Sequence, residues 1–136
     1  MSDLAYFDRG GSWYDFGFNA TDVVINGKKF YKNIWWYDWA YKDRQFRLIY
    51  KLHGKYTKFQ FKYGVLDSSL KGARGTIRIF GDNELLGEYT CELYDDAKSA
   101  TLNIAGVNYL AIEFQSLVNN DSSKIYLAIC DPLLIP

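Results

Sequence analysis

The sequence predicts an all-β fold, an antiparallel β-sandwich of about nine or ten short strands. Three observations predict it. Apolar and polar residues alternate with period two over several segments, as in Phe46, Leu48, Tyr50 and Leu52 against Arg47 and Lys51, which is the pattern of a strand with one buried face. Turn-forming clusters punctuate those segments at short intervals. Aromatic residues make up 18% of the chain, with 12 Tyr, 9 Phe and 4 Trp, and these side chains favour strands. No segment carries a 3.6-residue apolar stripe over three turns.

Taken in order, Val23-Val24-Ile25 and Lys29-Phe30-Tyr31 flank Asn26-Gly27, a strong two-residue hairpin signal because both turn positions want positive φ. Phe46 to Leu52 form the next strand. Phe59, Phe61, Tyr63 and Val65 alternate with Lys58, Gln60, Lys62 and Gly64 and form another. Residues 76–80 turn back through Gly81-Asp82-Asn83 into 85–93. Residues 100–104 and 109–114 are strands separated by Ala105-Gly106-Val107-Asn108, and 125–129 is the last. The longest turn-like stretches are 36–43, 66–74, 94–98 and 117–123, with a short helical turn allowed at 38–42 or 67–71. In sandwiches, binding usually lives in the loops of one end.

A chain of 136 residues forms one domain, 1–136, with a core of its own. Sixteen Lys+Arg balance sixteen Asp+Glu, so the net charge is zero. That argues against nucleic acid, which selects a basic excess, and against a polybasic membrane-surface binder. No apolar run approaches the ~18 residues of a membrane span. A neutral polar ligand suits the balance. The two cysteines, Cys91 and Cys130, lack zinc-type spacing and read as buried free thiols in strands, a disulfide being the alternative in an exported chain.

The segment Trp35-Trp36-Tyr37-Asp38-Trp39-Ala40-Tyr41 holds three of the four tryptophans. Burying all these rings would be hard because indole and phenol carry polar groups that need partners. Trp35, Tyr37, Trp39 and Tyr41 share one parity and Trp36 the other, so one set packs the core and the other faces out. Aromatic faces beside polar groups grip sugar rings, whose C–H faces are apolar and whose edges are polar.

Catalysis finds little support. His53, the only histidine, sits at a strand end and reads as an exposed turn residue rather than a triad member. Glu84, Glu88, Glu92, Asp95 and Asp96 are carboxylates, yet Glu88 and Glu92 read as outward strand positions rather than a glycosidase pair. Gly81-Asp82-Asn83-Glu84 and Asn119-Asn120-Asp121 hold hard oxygen ligands but lack EF-hand spacing; we read them as turns. Gly72-Ala73-Arg74-Gly75 lacks the ending of a phosphate loop. Asn19-Ala20-Thr21 and Asn120-Asp121-Ser122 are glycosylation sequons, relevant only in a eukaryotic secretory route.

Three runs together carry a family resemblance. Tyr50-Lys51-Leu52-His53-Gly54-Lys55-Tyr56 is followed by Tyr63-Gly64-Val65-Leu66-Asp67, then by Ile77-Arg78-Ile79-Phe80-Gly81-Asp82-Asn83. Upstream stands Gly27-Lys28-Lys29-Phe30-Tyr31-Lys32-Asn33-Ile34, and downstream Val107-Asn108-Tyr109-Leu110-Ala111-Ile112. In order and spacing this resembles the NPCBM family of carbohydrate-binding modules, over residues 20–131. The resemblance implies a jelly-roll sandwich. It implies a non-catalytic module of secreted bacterial glycoside hydrolases, binding galactose-containing or related glycans, often with a structural calcium. The chain departs from the family at Asn33, where glycine is usual. It also departs in the histidine-free loop at 35–41 and at Ser122-Ser123-Lys124-Ile125-Tyr126, so no family sugar contact is carried over.

The expected function is therefore non-catalytic carbohydrate binding. Trp36, Trp39 or Tyr41 would stack on a pyranose, and Asp38, Lys42, Asp43 or Arg44 would fix its hydroxyls. The alternative is a structural or protein-interaction domain that self-associates through the aromatic patch. The N-terminal Met1-Ser2-Asp3-Leu4 shows no signal-peptide pattern, which leaves an extracellular module cut from a longer protein or a cytoplasmic protein.

Overall fold

The computed structural model describes residues 4–41 and 44–136, the side chains of 120–122 excepted. In chain order the strands are β1 (Asp8–Gly11), β2 (Asp15–Phe18), β3 (Val23–Ile25), β4 (Lys28–Phe30), β5 (Asn33–Ala40) and β6 (Gln45–Lys51). They continue with β7 (Lys58–Val65), β8 (Arg74–Gly81), β9 (Glu84–Glu92), β10 (Lys98–Asn103), β11 (Tyr109–Ser116) and β12 (Asn120–Ile135). Two five-stranded antiparallel sheets form, β1-β6-β11-β8-β9 and β10-β7-β12-β5-β2, with β3-β4 as a separate hairpin. We call the first the charged sheet and the second the aromatic sheet, after their outer faces. Most connections cross from one sheet to the other, as in a jelly roll.

The segments with simple alternation behave as expected. Phe46, Leu48, Tyr50 and Leu52 are fully buried between the sheets, as are Phe59 and Val65. The Asn26-Gly27 turn has φ of 45° and 82°, the left-handed pair a two-residue hairpin requires. His53 is exposed in a turn with φ 57°. Cys91 and Cys130 are free and buried, and burial pushes both thiols up to about 12. Glu88 and Glu92 point outward from β9.

Three expectations are corrected. Residues 36–40 are not loop but the second half of β5, so Asp38 to Ala40 are strand where a helical turn was expected at 38–42; Lys42 lies outside the described residues. The strand was hidden because Asp38 occupies an inward position and aromatics occupy both faces, which erases the period-two contrast. Residues 67–71 make successive turns closed by Ser69 N–H to Leu66 O at 3.0 Å and Ala73 N–H to Leu70 O at 3.1 Å. The loop expected at 117–123 is shorter, because β12 begins at Asn120 and bulges before Lys124.

The β3-β4 hairpin lies across the outer face of the aromatic sheet with a small core of its own. Val23, Ile25 and Phe30 pack there against Leu66, Ala128 and Cys130. Its base is pinned by Asn33, which is fully buried. The Asn33 amide Nδ2 donates to Ala20 O at 2.7 Å and Phe30 O at 3.0 Å, and Oδ1 accepts from Ala20 N–H at 3.0 Å. A glycine there would leave these backbone groups unpaired. Its tip is held by Asp67, whose carboxylate accepts from the N–H groups of Asn26 and Gly27 at 2.8 and 2.9 Å. Gly64 on β7 permits the approach: a Cβ there would stand 2.9 Å from Ile25 Cγ2.

Candidate functional site

Strand parity decides which rings of the aromatic segment reach solvent. Ile34, Trp36, Asp38 and Ala40 face inward. Trp36 is fully buried, its ring stacked on Phe114 at 6.0 Å and its Nε1 donating to Ser12 O at 3.0 Å. It is core, and no face of it is available to a ligand, which corrects the expectation that Trp36 stacks on a sugar. Asp38 is 2% exposed. Its carboxylate accepts from Ser12 Oγ at 2.8 Å, Trp39 N–H at 2.7 Å and Arg44 Nη1 at 2.9 Å. Asp38 therefore ties two chain segments together and has no direct reach to a ligand. Arg44 extends its guanidinium over the Tyr41 ring at 4.4 Å, so these two expected contacts engage each other at the end of β5. Lys42 and Asp43 lie outside the described residues.

Trp35, Tyr37 and Trp39 point the other way and are half-buried on the outer face of the aromatic sheet. The register with β12 sets Tyr126 beside Tyr37, where the rings stack at 4.6 Å, and Trp35 also stacks on Tyr37, at 5.7 Å. Tyr14 completes the group at 5.4 Å from Tyr37 and edge-on to Trp39 at 6.4 Å. The ammonium of Lys124 sits over Tyr14 at 3.9 Å, Trp39 at 5.2 Å and Tyr37 at 5.4 Å, a cation held by ring faces. Burial, with Asp15, Tyr126 and Tyr14 nearby, holds the Tyr37 phenol above its ordinary range. The Trp35 indole lies against the backbone of Gly17 on β2, where a Cβ would come within 2.6 Å of the ring, and its Nε1 is buried with no hydrogen-bond partner.

Two open cavities adjoin this row. One, of about 350 Å³, is lined by Trp39, Ser68, Ser69, Leu70, Ser123, Lys124 and Tyr126. The other, of about 290 Å³, lies where the hairpin ends and is lined by Asp22, Val23, Trp35, Tyr37, Leu66, Ser68 and Tyr126. Volumes near 300 Å³ are at the small end for ligand sites. Of the five expected binding residues that are described, Trp39 alone lines either cavity. Tyr37, Tyr126, Tyr14, Lys124 and Ser68 were missed. A signal existed for two of them: Ile125, Leu127 and Ile129 mark the inward parity of β12, which puts Lys124 and Tyr126 outside.

A calcium finds no fit at the Asp82 turn. Both Asp82 oxygens accept backbone N–H groups, from Asn108 at 3.1 and 3.2 Å and Tyr109 at 2.9 Å, and Asp82 and Asn83 hold the left-handed φ of a tight turn. Among the described residues no group of three or more His, Cys, Asp or Glu is arranged to hold a metal ion. The side chains of Asn120 and Asp121 lie outside the described residues. Among the described residues, no helix is long and apolar enough to cross a membrane.

No family model matches the sequence, and no curated protein matches it. Solved structures do. A structure of Clostridium perfringens ZmpB, containing its M60 catalytic domain with CBM51-1 and CBM51-2, superposes with a TM-score of 0.79 at 17% identity. It covers 99% of this chain, which spans 15% of that one. The CBM51 of Clostridium perfringens GH95, solved in complex with methyl-galactose, superposes with a TM-score of 0.78 at 20% identity over 98% of this chain and 96% of that one. The tandem CBM51 modules of Sp3GH98, a family 98 glycoside hydrolase of Streptococcus pneumoniae SP3-BS71, give 0.75 at 14% identity over 99% of this chain and 46% of that one. At these identities the likeness establishes a shared fold: the chain folds as the β-sandwich of carbohydrate-binding modules.

Proposed function

We propose that this chain is a non-catalytic carbohydrate-binding module that takes a neutral sugar, galactose or a related hexose, on the outer face of its aromatic sheet. The observation that carries the reading is the cavity beside Trp39. There an indole and the Tyr126 ring stand next to the Lys124 ammonium and the hydroxyls of Ser68 and Ser123. Rings cover the apolar C–H face of a pyranose, and a few placed polar groups set its orientation. The sugar complex of the structurally similar GH95 module supports the ligand class. The bacterial enzymes that carry similar modules support a role as a targeting module of a secreted bacterial protein.

The test is a glycan array run with and without a calcium chelator, on the wild type and on Trp39→Ala. Binding to one glycan class, lost in the folded variant and indifferent to chelation, supports the reading. A folded wild type that binds no glycan overturns it. A second reading, self-association or a protein partner, rests on Trp13, Tyr14 and Tyr94, which are 39%, 55% and 63% exposed; concentration-dependent size in light scattering is its signature.

A further inference from the structure

We propose that the ligand extends over two linked sugar units, with the second, uncharged unit seated at the hairpin border in the cavity beside Trp35. This rests on the glycan-binding reading above. Ser68 and Tyr126 line both cavities, so the two spaces are neighbours across a shared wall. Trp35 and Trp39 are four residues apart on one face of one strand, a separation of about 13 Å at ~3.3 Å per residue. One hexopyranose cannot touch both. The wall between them is not apolar: it carries the Tyr37 phenol and the exposed Ser68 hydroxyl.

The chemistry of the second cavity selects its occupant. Asp22 is exposed on its rim, and neither its carboxylate nor the Ser68 hydroxyl has a hydrogen-bond or ion-pair partner in the described structure. A free carboxylate accepts hydrogen bonds from vicinal sugar hydroxyls and repels a uronate or sialate. The cavity is closed on one side by Val23 and Leu66, both buried, so the hairpin edge bounds how far the sugar chain runs in that direction. Two units fill the two cavities.

The experiment is calorimetric titration of the full chain with methyl-galactoside, β-1,4-galactobiose and β-1,4-galactotriose, and with the corresponding gluco and N-acetylglucosamine series. The disaccharide of the bound series should exceed its monosaccharide by about tenfold in affinity, and the trisaccharide should add less than twofold. Asp22→Ala, at an exposed position, should bring the disaccharide-to-monosaccharide ratio towards one, while Lys124→Ala should weaken both ligands together. Equal affinity for one and two units, or an unchanged ratio in Asp22→Ala, overturns the two-unit inference and leaves the glycan-binding reading standing. Absence of binding across all three series and the array overturns both.

Discussion

The two outer faces of this sandwich are built on opposite rules. On the charged sheet, Glu113 of β11 is 7% exposed and accepts from Arg47 at 2.8 and 3.2 Å and from Arg78 at 3.2 Å. Arg78 also donates to Glu88 at 2.7 Å and to Gln115, and Arg47 covers the Phe80 ring at 4.6 Å. The charges of Arg47, Arg78, Glu88 and Glu113 are answered by neighbours on adjacent strands, and polar groups satisfied in this way offer a ligand little. On the aromatic sheet the outward positions of β5 and β12 carry rings, one cation and hydroxyls without internal partners. The same fold thus spends one face on its own cohesion and leaves the other for something outside. Surface chemistry, rather than the sandwich itself, distinguishes the two faces.

The comparison can be broken from the inside first. Trp36→Ala removes a fully buried indole and should destabilise the domain by about 3–5 kcal/mol, read as a shift of the denaturation midpoint. A folded Trp36→Ala that had lost only glycan binding would reverse the inner and outer assignments of β5. Next comes the charged sheet. Glu113→Ala removes the acceptor shared by two arginines that are 35% and 22% exposed; Arg78 keeps Glu88 and Gln115 and solvent softens the rest, so a cost of about 1–2 kcal/mol is expected in urea unfolding, with glycan affinity within twofold of wild type.

On the aromatic sheet the effects should appear in binding instead. Trp39→Ala should weaken the ligand at least tenfold, about 1.4 kcal/mol or more, with the thermal midpoint moving only slightly. Gly17→Ala is subtler: the added methyl displaces the Trp35 indole and should alter affinity for a disaccharide although it touches no ligand, which calorimetry reads directly. Smallest at neutral pH is the thiol effect. Burial raises both cysteines from 9.0 to about 12. The folded state therefore holds these protons more tightly than the unfolded chain, and stability should be constant below about pH 9 and fall as pH rises towards 12. Denaturant titrations across that range check the sign, and both thiols should resist alkylation at pH 8 until the protein unfolds.

The strands that announced themselves in the sequence are those with one apolar and one polar face, β6 and β7 above all. Those that did not are instructive. β1 is four residues, two of them glycine, all exposed, so it has no contrast to detect. β2 is equally short. β5 carries indoles on both faces and an aspartate inside, because Asp38 works as a tie between chain segments rather than as a solvated residue. The site was legible as a segment but not as a surface. The cluster at 35–41 does hold the outward-facing rings, and the expected Trp39 and Tyr41 share their parity, whereas Trp36 falls on the inward one. Tyr14, Ser68, Lys124 and Tyr126 reach the site only through the register of β2 and β12 against β5 and through the loop after β7, and strand register is set by tertiary packing.

The hairpin carries a consequence for how such a module diversifies. It has its own small core, is fastened at its base by Asn33 and at its tip by Asp67, and turns at Gly27, around which a Cβ would meet nothing. Its length can therefore change without disturbing the packing between the sheets. A shorter hairpin would uncover more of β12, and a longer one would roof over Tyr37. Substitutions confined to the exposed tip, residues 26–29, therefore remodel this border of the aromatic sheet and leave the packing between the sheets in place.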